Sequence, residues 1–180
     1  MRVAVYGGSF NPPHIGHVMV ASWLVWTDQA DEVWLLPASS HPFAKVLAPF
    51  AERVALCEAV TASLPRVSVC TIEGELSAPS YTINTLSALS SRFPDHVFRL
   101  VVGADVLPKV DRWRDWASIE ARYAPIIVGR QGHAGPPDAV DFPGISSTDV
   151  RLRLMRGEPV AQLVPASILA ACHRLWPPTS

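Results

Sequence analysis

"VAVYGGSFNPPHIGH" (residues 3–17) decides how this chain begins to fold. Its apolar run stops at Gly7 and Gly8, so residues 2–6 read as a short buried strand ended by glycine. The glycines also let backbone approach a ligand closely. Asn11 is a good N-cap and Pro12 and Pro13 suit a first helical turn, which predicts a helix starting near residue 12 and running to about 28. His14 and His17 then sit three apart on one face, near that helix's N-terminus. Free N–H groups and the macrodipole attract anions there, and they disfavour the imidazolium form. Gly16 leaves room for a flat group on the helix. The stretch therefore reads as an anion site that donates hydrogen bonds while carrying little fixed charge. Each residue alone has a plainer reading as turn or core, and no third ligand stands beside the histidines to make a metal site.

Working outward, apolar strands alternate with helical spacing. Further strands are expected at 31–38, 66–72, 97–105 and 123–130, with a short one near 139–142. Helices are expected at 49–63, 80–93, about 146–156 and about 165–175, and "SSTD" (146–149) has the form of a capping sequence. This alternation predicts an α/β fold, a doubly wound Rossmann-like parallel sheet of five or six strands flanked by helices. In such a sheet the ligand crevice lies beyond the carboxyl ends of the strands, where strand order reverses. The loops after strands one, four and five then meet. That brings the opening stretch, "GADVL" (103–107) and "ISSTDVR" (145–151) to one crevice.

The whole-chain properties are consistent with this. The 180 residues suit one domain, spanning 1–180, with 145–180 as a C-terminal helical part completing the site. Nearly half of the residues, 49%, are apolar and only 17% are charged, enough for a sizeable core. A net charge of −1 gives no basic excess for nucleic acid and no polybasic block for a membrane. Three scattered cysteines without a CxxC pair fit a reducing compartment. The N-terminus lacks a signal-peptide pattern, so a cytoplasmic protein is expected. A homo-oligomer is compatible with this composition. Neither GxxxxGK(S/T) nor GxGxxG follows the first strand, so phosphate binding needs another pattern. No GxSxG or Cys-His arrangement supports a hydrolase.

Such a pattern exists. "GGSFNPPHIGH" (7–17) resembles the GG(S/T)F(D/N)PxHxGH segment of the HxGH nucleotidylyltransferase superfamily, and "ISSTDVR" resembles its second motif, ISSTxxR. Between them, "PSYTINTL" (79–86), "GADVL" and "DRWRDW" (111–116) stand in the order seen in the nicotinate-nucleotide adenylyltransferases. The ending "GEPVAQLVPASILAACHRLW" (157–176) resembles their last helix. Departures are Ser9 and Asn11 for the Thr and Asp common in bacterial members, Asn84 for an Asp, and "SSHPFAKVLAPF" (39–50) for a PPHK stretch.

The resemblance implies adenylyl transfer from ATP to nicotinate mononucleotide, with Mg²⁺ accompanying the ATP. Nicotinamide mononucleotide as acceptor, and a non-catalytic nucleotide-binding module, are the alternatives. His17, His14 and Arg151 are the implied catalytic residues. The implied ATP contacts are Gly7, Gly8, Ser9, Phe10, His14, Gly16 and His17 from the first motif. Lys45, Gly103, Asp105 and Arg130 follow from the middle of the chain. Ile145, Ser146, Ser147, Thr148 and Arg151 come from the second motif. Asn11, Tyr81, Thr82, Asp105 and Trp113 would meet the mononucleotide, with Trp113 stacked on its ring. The resemblance implies that Thr82 and the backbone near Tyr81 receive the nicotinate carboxylate; no Arg or Lys stands in 78–90, which is compatible with either acid or amide.

Overall fold

Glycine-ended strands and apolar helices assemble as a six-stranded sheet in the order β3-β2-β1-β4-β5-β6. The computed structural model describes residues 1–39, 47–77, 81–133 and 135–179. The strands are β1 (Arg2–Gly8), β2 (Glu32–Pro37), β3 (Val67–Val69), β4 (Val97–Gly103), β5 (Ile126–Arg130) and β6 (Asp141–Phe142). The helices are α1 (Ile15–Trp26), α2 (Phe50–Thr61), α3 (Thr82–Arg92), α4 (Trp116–Tyr123), α5 (Ser147–Met155) and α6 (Ala166–Leu175). Two 3₁₀ turns, Ile72–Gly74 and Leu107–Arg112, join them. Every neighbouring pair of strands is parallel. The expected α/β architecture is therefore observed, with the sixth strand just two residues long.

Alternation along β1 shows why both faces of the sheet need helices. Ala4 packs on one face with Val20, Ala21 and Leu24 of α1. Val3 and Val5 point the other way, to Leu86 and Leu89 of α3 and Ile119 of α4. Leu24 and Leu86 are fully buried, so truncating either to Ala removes about 2–5 kcal/mol of stability. A third apolar cluster joins Leu56 and Val60 of α2 to Val150 and Leu154 of α5 and to Ile168 and Cys172 of α6. The C-terminal helices thus rest on α2, and the α1 entrance is tied to them where the Ile15 N–H donates to Leu163 O at 2.9 Å.

Several expectations need correction. Helix α1 starts at Ile15, with His14 in extended conformation as its N-cap. Asn11 is therefore not the cap, and Pro12 and Pro13 precede the helix. The reason lies in the turn after β1: Phe10 adopts a left-handed φ of 44°, and Asn11 Oδ1 accepts from the Ala48 N–H at 3.0 Å. Helix α4 was not expected, although Trp116, Ile119 and Tyr123 have helical spacing. Tyr123 belongs to that helix, and Ala124, at a φ of 34°, delays β5 to Ile126. Strand β3 covers only 67–69, because Ile72 already enters a 3₁₀ turn. At α5 the capping expectation holds: Ser146 Oγ accepts from the Asp149 N–H at 3.0 Å.

Candidate active site

Strand order reverses between β1 and β4, and the carboxyl ends of those strands open a crevice. Three short sequence segments meet there. Arg130, at the end of β5, donates to Asp105 Oδ2 at 2.7 Å and to Ile145 O at 2.7 Å. Ser147 Oγ donates to Pro12 O at 2.8 Å. Arg151 donates through Nη1 to Asn11 O at 2.7 Å and through Nη2 to Thr148 Oγ1 at 3.4 Å. The N-terminal turn of α5 is thereby clipped onto the loop after β1. Burial works against the charge of Arg151, pulling its guanidinium below its ordinary value.

The histidines stand at the start of α1. Their rings stack, with centroids 3.7 Å apart, and the His17 ring meets the edge of Phe10 at 4.9 Å. The His14 backbone N–H donates to His17 Nδ1 at 3.0 Å. An accepting Nδ1 assigns the ring proton to Nε2, which makes Nε2–H the donor His17 presents. Burial, aided by the charge of Arg130, pushes His14 down to about 4. Burial, then His14 and Arg130, hold His17 well below the ordinary histidine range. Both shifts favour the neutral form near pH 7, the state expected from the helix start, but their cause is burial and Arg130. Gly16 serves this pair: a Cβ there would lie 3.1 Å from His14 Nδ1. It makes room for the neighbouring ring.

On the other side of the β1 end lies a cavity of about 430 Å³. Gly7, Gly8 and Ser9 form one wall, and Tyr81, Thr82 and Trp113 another. The structure thus joins residues expected at both nucleotides. Trp113 is half-buried and meets Trp116 edge-on at 5.7 Å.

Other expected residues fall elsewhere. Phe10 is 1% exposed and belongs to the core beneath His17. Asn11 is also 1% exposed, and its side-chain oxygen accepts from the Ala48 N–H, so it braces the loop after β1. Asp105 pairs with Arg130, and Gly103 makes that possible, since a Cβ on it would meet Asp105 Oδ1 at 2.5 Å. Lys45 lies outside the described residues.

Sequence reasoning missed four participants. Arg53 of α2 is 1% exposed and donates to Ala48 O and Ser9 O, both at 2.9 Å, fixing the loop after β1 from below. A lone arginine in an amphipathic helix gave no signal of this. Arg112 and Arg114 line the cavity on either side of Trp113, and the Arg114 guanidinium lies 5.0 Å from the Tyr81 ring centre. Their signal was visible in "DRWRDW". Glu73 also lines the cavity, from a stretch without any recognisable motif. Among the described residues no cluster of three or more His, Cys, Asp or Glu forms a metal cage. No helix among them is long and apolar enough to cross a membrane.

The chain is similar to known proteins. The Cytidylyltransferase-like family profile matches residues 5–153. The "Probable nicotinate-nucleotide adenylyltransferase" of Anaeromyxobacter sp. (strain K) is 48% identical over 171 residues, covering 93% of this chain and 91% of that protein. The protein of the same name from Myxococcus xanthus (strain DK1622) is 39% identical over 176 residues, covering 94% and 90%. A solved structure of Plasmodium falciparum nicotinic acid mononucleotide adenylyltransferase complexed with NaAD has the same fold. It superposes with a TM-score of 0.77 at 16% identity, over 94% of this chain and 95% of that one. Coverage and identity together leave one conclusion: the chain belongs to the Cytidylyltransferase-like family and, within it, to the nicotinate-nucleotide adenylyltransferases.

Proposed function

We propose that this protein transfers the adenylyl group of ATP to nicotinate mononucleotide, releasing pyrophosphate and forming nicotinate adenine dinucleotide. One observation carries the reading: a neutral His14–His17 pair and Arg151 lie on one side of the β1 end, and a ring-sized cavity closed by Trp113 lies on the other. Named relatives at up to 48% identity support the substrate choice.

The mononucleotide 5′-phosphate is already an anion at neutral pH and needs no strong base. Its oxygen attacks the α-phosphorus in line. A new P–O bond forms as the bridging α–β bond breaks, and the electron pair leaves with pyrophosphate. Catalysis then consists of holding two polyanions together and stabilising charge as it spreads. His17 donates Nε2–H to the α-phosphate, oriented in advance by the bond at its Nδ1. A neutral donor suits this task, because it stabilises developing charge without holding the product as a buried cation would. His14 contacts the phosphates beside it. Arg151, with Ser147 and Thr148 at the α5 N-terminus, holds the β- and γ-phosphates. Arg130 adds positive charge from the end of β5.

The residues present fit a Mg²⁺ that arrives on the triphosphate, keeping most of its waters and needing few protein ligands. Asp105, at the end of β4 and paired with Arg130, would accept a hydrogen bond from ribose or from a water carried by the ion. The metal neutralises phosphate charge when bound.

Trp113 stacks on the pyridine ring. Thr82 backbone at the α3 N-terminus receives the carboxylate, and Arg112 and Arg114 at the cavity favour the acid over the amide. Pyrophosphate release with Mg-ATP, run in parallel with nicotinate and nicotinamide mononucleotides, tests the reading. Strong release with the acid is expected. Equal release with the amide overturns the substrate choice, and silence with both overturns the activity.

A further inference from the structure

Glu73 is out of place by ordinary burial rules. It is 7% exposed, and one carboxylate oxygen, Oε2, is buried without a hydrogen-bond partner among the described residues. The other, Oε1, accepts from Thr85 Oγ1 of α3, itself 3% exposed. No cation pairs with Glu73 among the described ion pairs. A buried carboxylate left this way is costly unless an opposite charge arrives. Glu73 and Thr85 both line the 430 Å³ cavity, together with the apolar Val5, Leu36, Leu86 and Leu100 and with Arg112 and Arg114. An anion set in apolar walls acts over several ångströms, because little water screens it. What it attracts is a flat cation sized to the cavity.

Nicotinate mononucleotide supplies one. Its ring nitrogen carries the ribose, so the ring has a fixed positive charge separate from the carboxylate at its 3-position. We propose that Glu73 makes this cavity select a cationic pyridinium ring over an uncharged ring of the same shape. The inference rests on the proposed function and adds a specificity residue to it. Glu73 sits against α3 through Thr85, and Arg114, over the Tyr81 ring at the α3 N-terminus, lines the same cavity with Arg112. A zwitterionic ring suits this lining, with its cationic body toward Glu73 and its carboxylate toward the α3 N-terminus, where Arg114 lies. Trp113 favours the same cation through its π face.

Nicotinate mononucleotide and its 1,4-dihydro form separate ring charge from everything else. They share phosphate, ribose and carboxylate, and only the first has a charged ring. Binding of each is measured by calorimetry to wild-type protein, Glu73→Gln and Glu73→Asp. Wild type is expected to prefer the charged ring by at least about tenfold, a size set by a charge pair at an effective dielectric of about 20. Glu73→Gln keeps an acceptor for Thr85 while losing the charge, and its preference should fall about tenfold. Glu73→Asp keeps the charge and most of the preference. Equal binding of the two forms by wild type overturns the inference, even if Glu73→Gln fails to fold. An unchanged preference in a folded Glu73→Gln overturns it too, as does an equal loss of affinity for both ligands, which would mean that Glu73 only braces α3. If neither mononucleotide binds, the proposed function falls with it. Binding without preference defeats this inference alone.

Discussion

At the His14–His17 end of the crevice most polar groups are engaged before any ligand arrives, with His14 Nδ1 buried and unpartnered among the described residues. Arg151 and Ser147 donate to backbone carbonyls of the loop after β1, Arg130 is shared between Asp105 and Ile145, and His17 Nδ1 is held by the His14 N–H. At the cavity end Glu73 differs: its Oε2 has no partner among the described residues, and Arg114 rests over Tyr81 with no carboxylate paired to it among the described ion pairs. The difference teaches how binding and chemistry are divided. On the proposed function, the first end would meet the phosphates already preorganised, which lowers the reorganisation needed when charge develops on phosphorus. The second would be a shaped, charged cavity whose interactions the substrate ring completes.

Removing His17 should break the comparison most visibly. His17→Ala is expected to lower kcat by about 10²–10³, the loss typical of one preorganised donor, with little change in KM for either substrate. Steady-state kinetics on folded protein decides it; near-normal turnover removes His17 from the chemistry. Next in size are two substitutions at opposite ends. Trp113→Ala should raise KM for the mononucleotide by roughly ten- to a hundredfold through lost stacking, and leave KM for ATP nearly unchanged. Arg151→Ala should do the reverse, raising KM for ATP by about tenfold or more, as expected for a charge-assisted hydrogen bond. A shift of both constants in either variant would mean that the two ends are not independent.

The smallest effect lies in stability. His14 titrates near 4 in the folded chain, against 6.5 when unfolded. Between those values the unfolded chain binds more protons. Stability from this group is therefore undiminished above pH 6.5 and falls as pH drops toward 4, by at most about 1.4 kcal/mol per unit. Urea midpoints at pH 7 and pH 5 should differ in that direction, and His14→Gln should flatten the slope. A midpoint that rises on acidification would show that His14 is not neutral in the folded state.

The sequence made much of this legible because its signals are local. Gly7-Gly8 ends β1 whatever packs above it, "SSTD" caps α5 through a bond within one turn, and the alternation of apolar runs fixes a parallel sheet. The HxGH and ISSTxxR stretches carried their own chemistry and were brought together as expected. Other features came from contacts between residues distant in the chain. Asn11 has the chemistry of a helix cap, yet Ala48, 37 residues away, takes its side chain and His14 becomes the cap. Arg53 resembles any solvated helix arginine until packing buries it under Ser9. Glu73 carries no local signal, because the cavity that gives it meaning is assembled from β1, the 3₁₀ turn before α3, α3 itself and the Trp113 loop. The sequence by itself determined the glycine end of β1, the Ser146 cap of α5 and the alternation of strands and helices, since each depends on neighbours within a few residues; the neutrality of His14 and His17 came from burial and the distant Arg130. Only the tertiary structure decided which side chains brace the site and which remain open to substrate, since burial and pairing are properties of distant segments meeting.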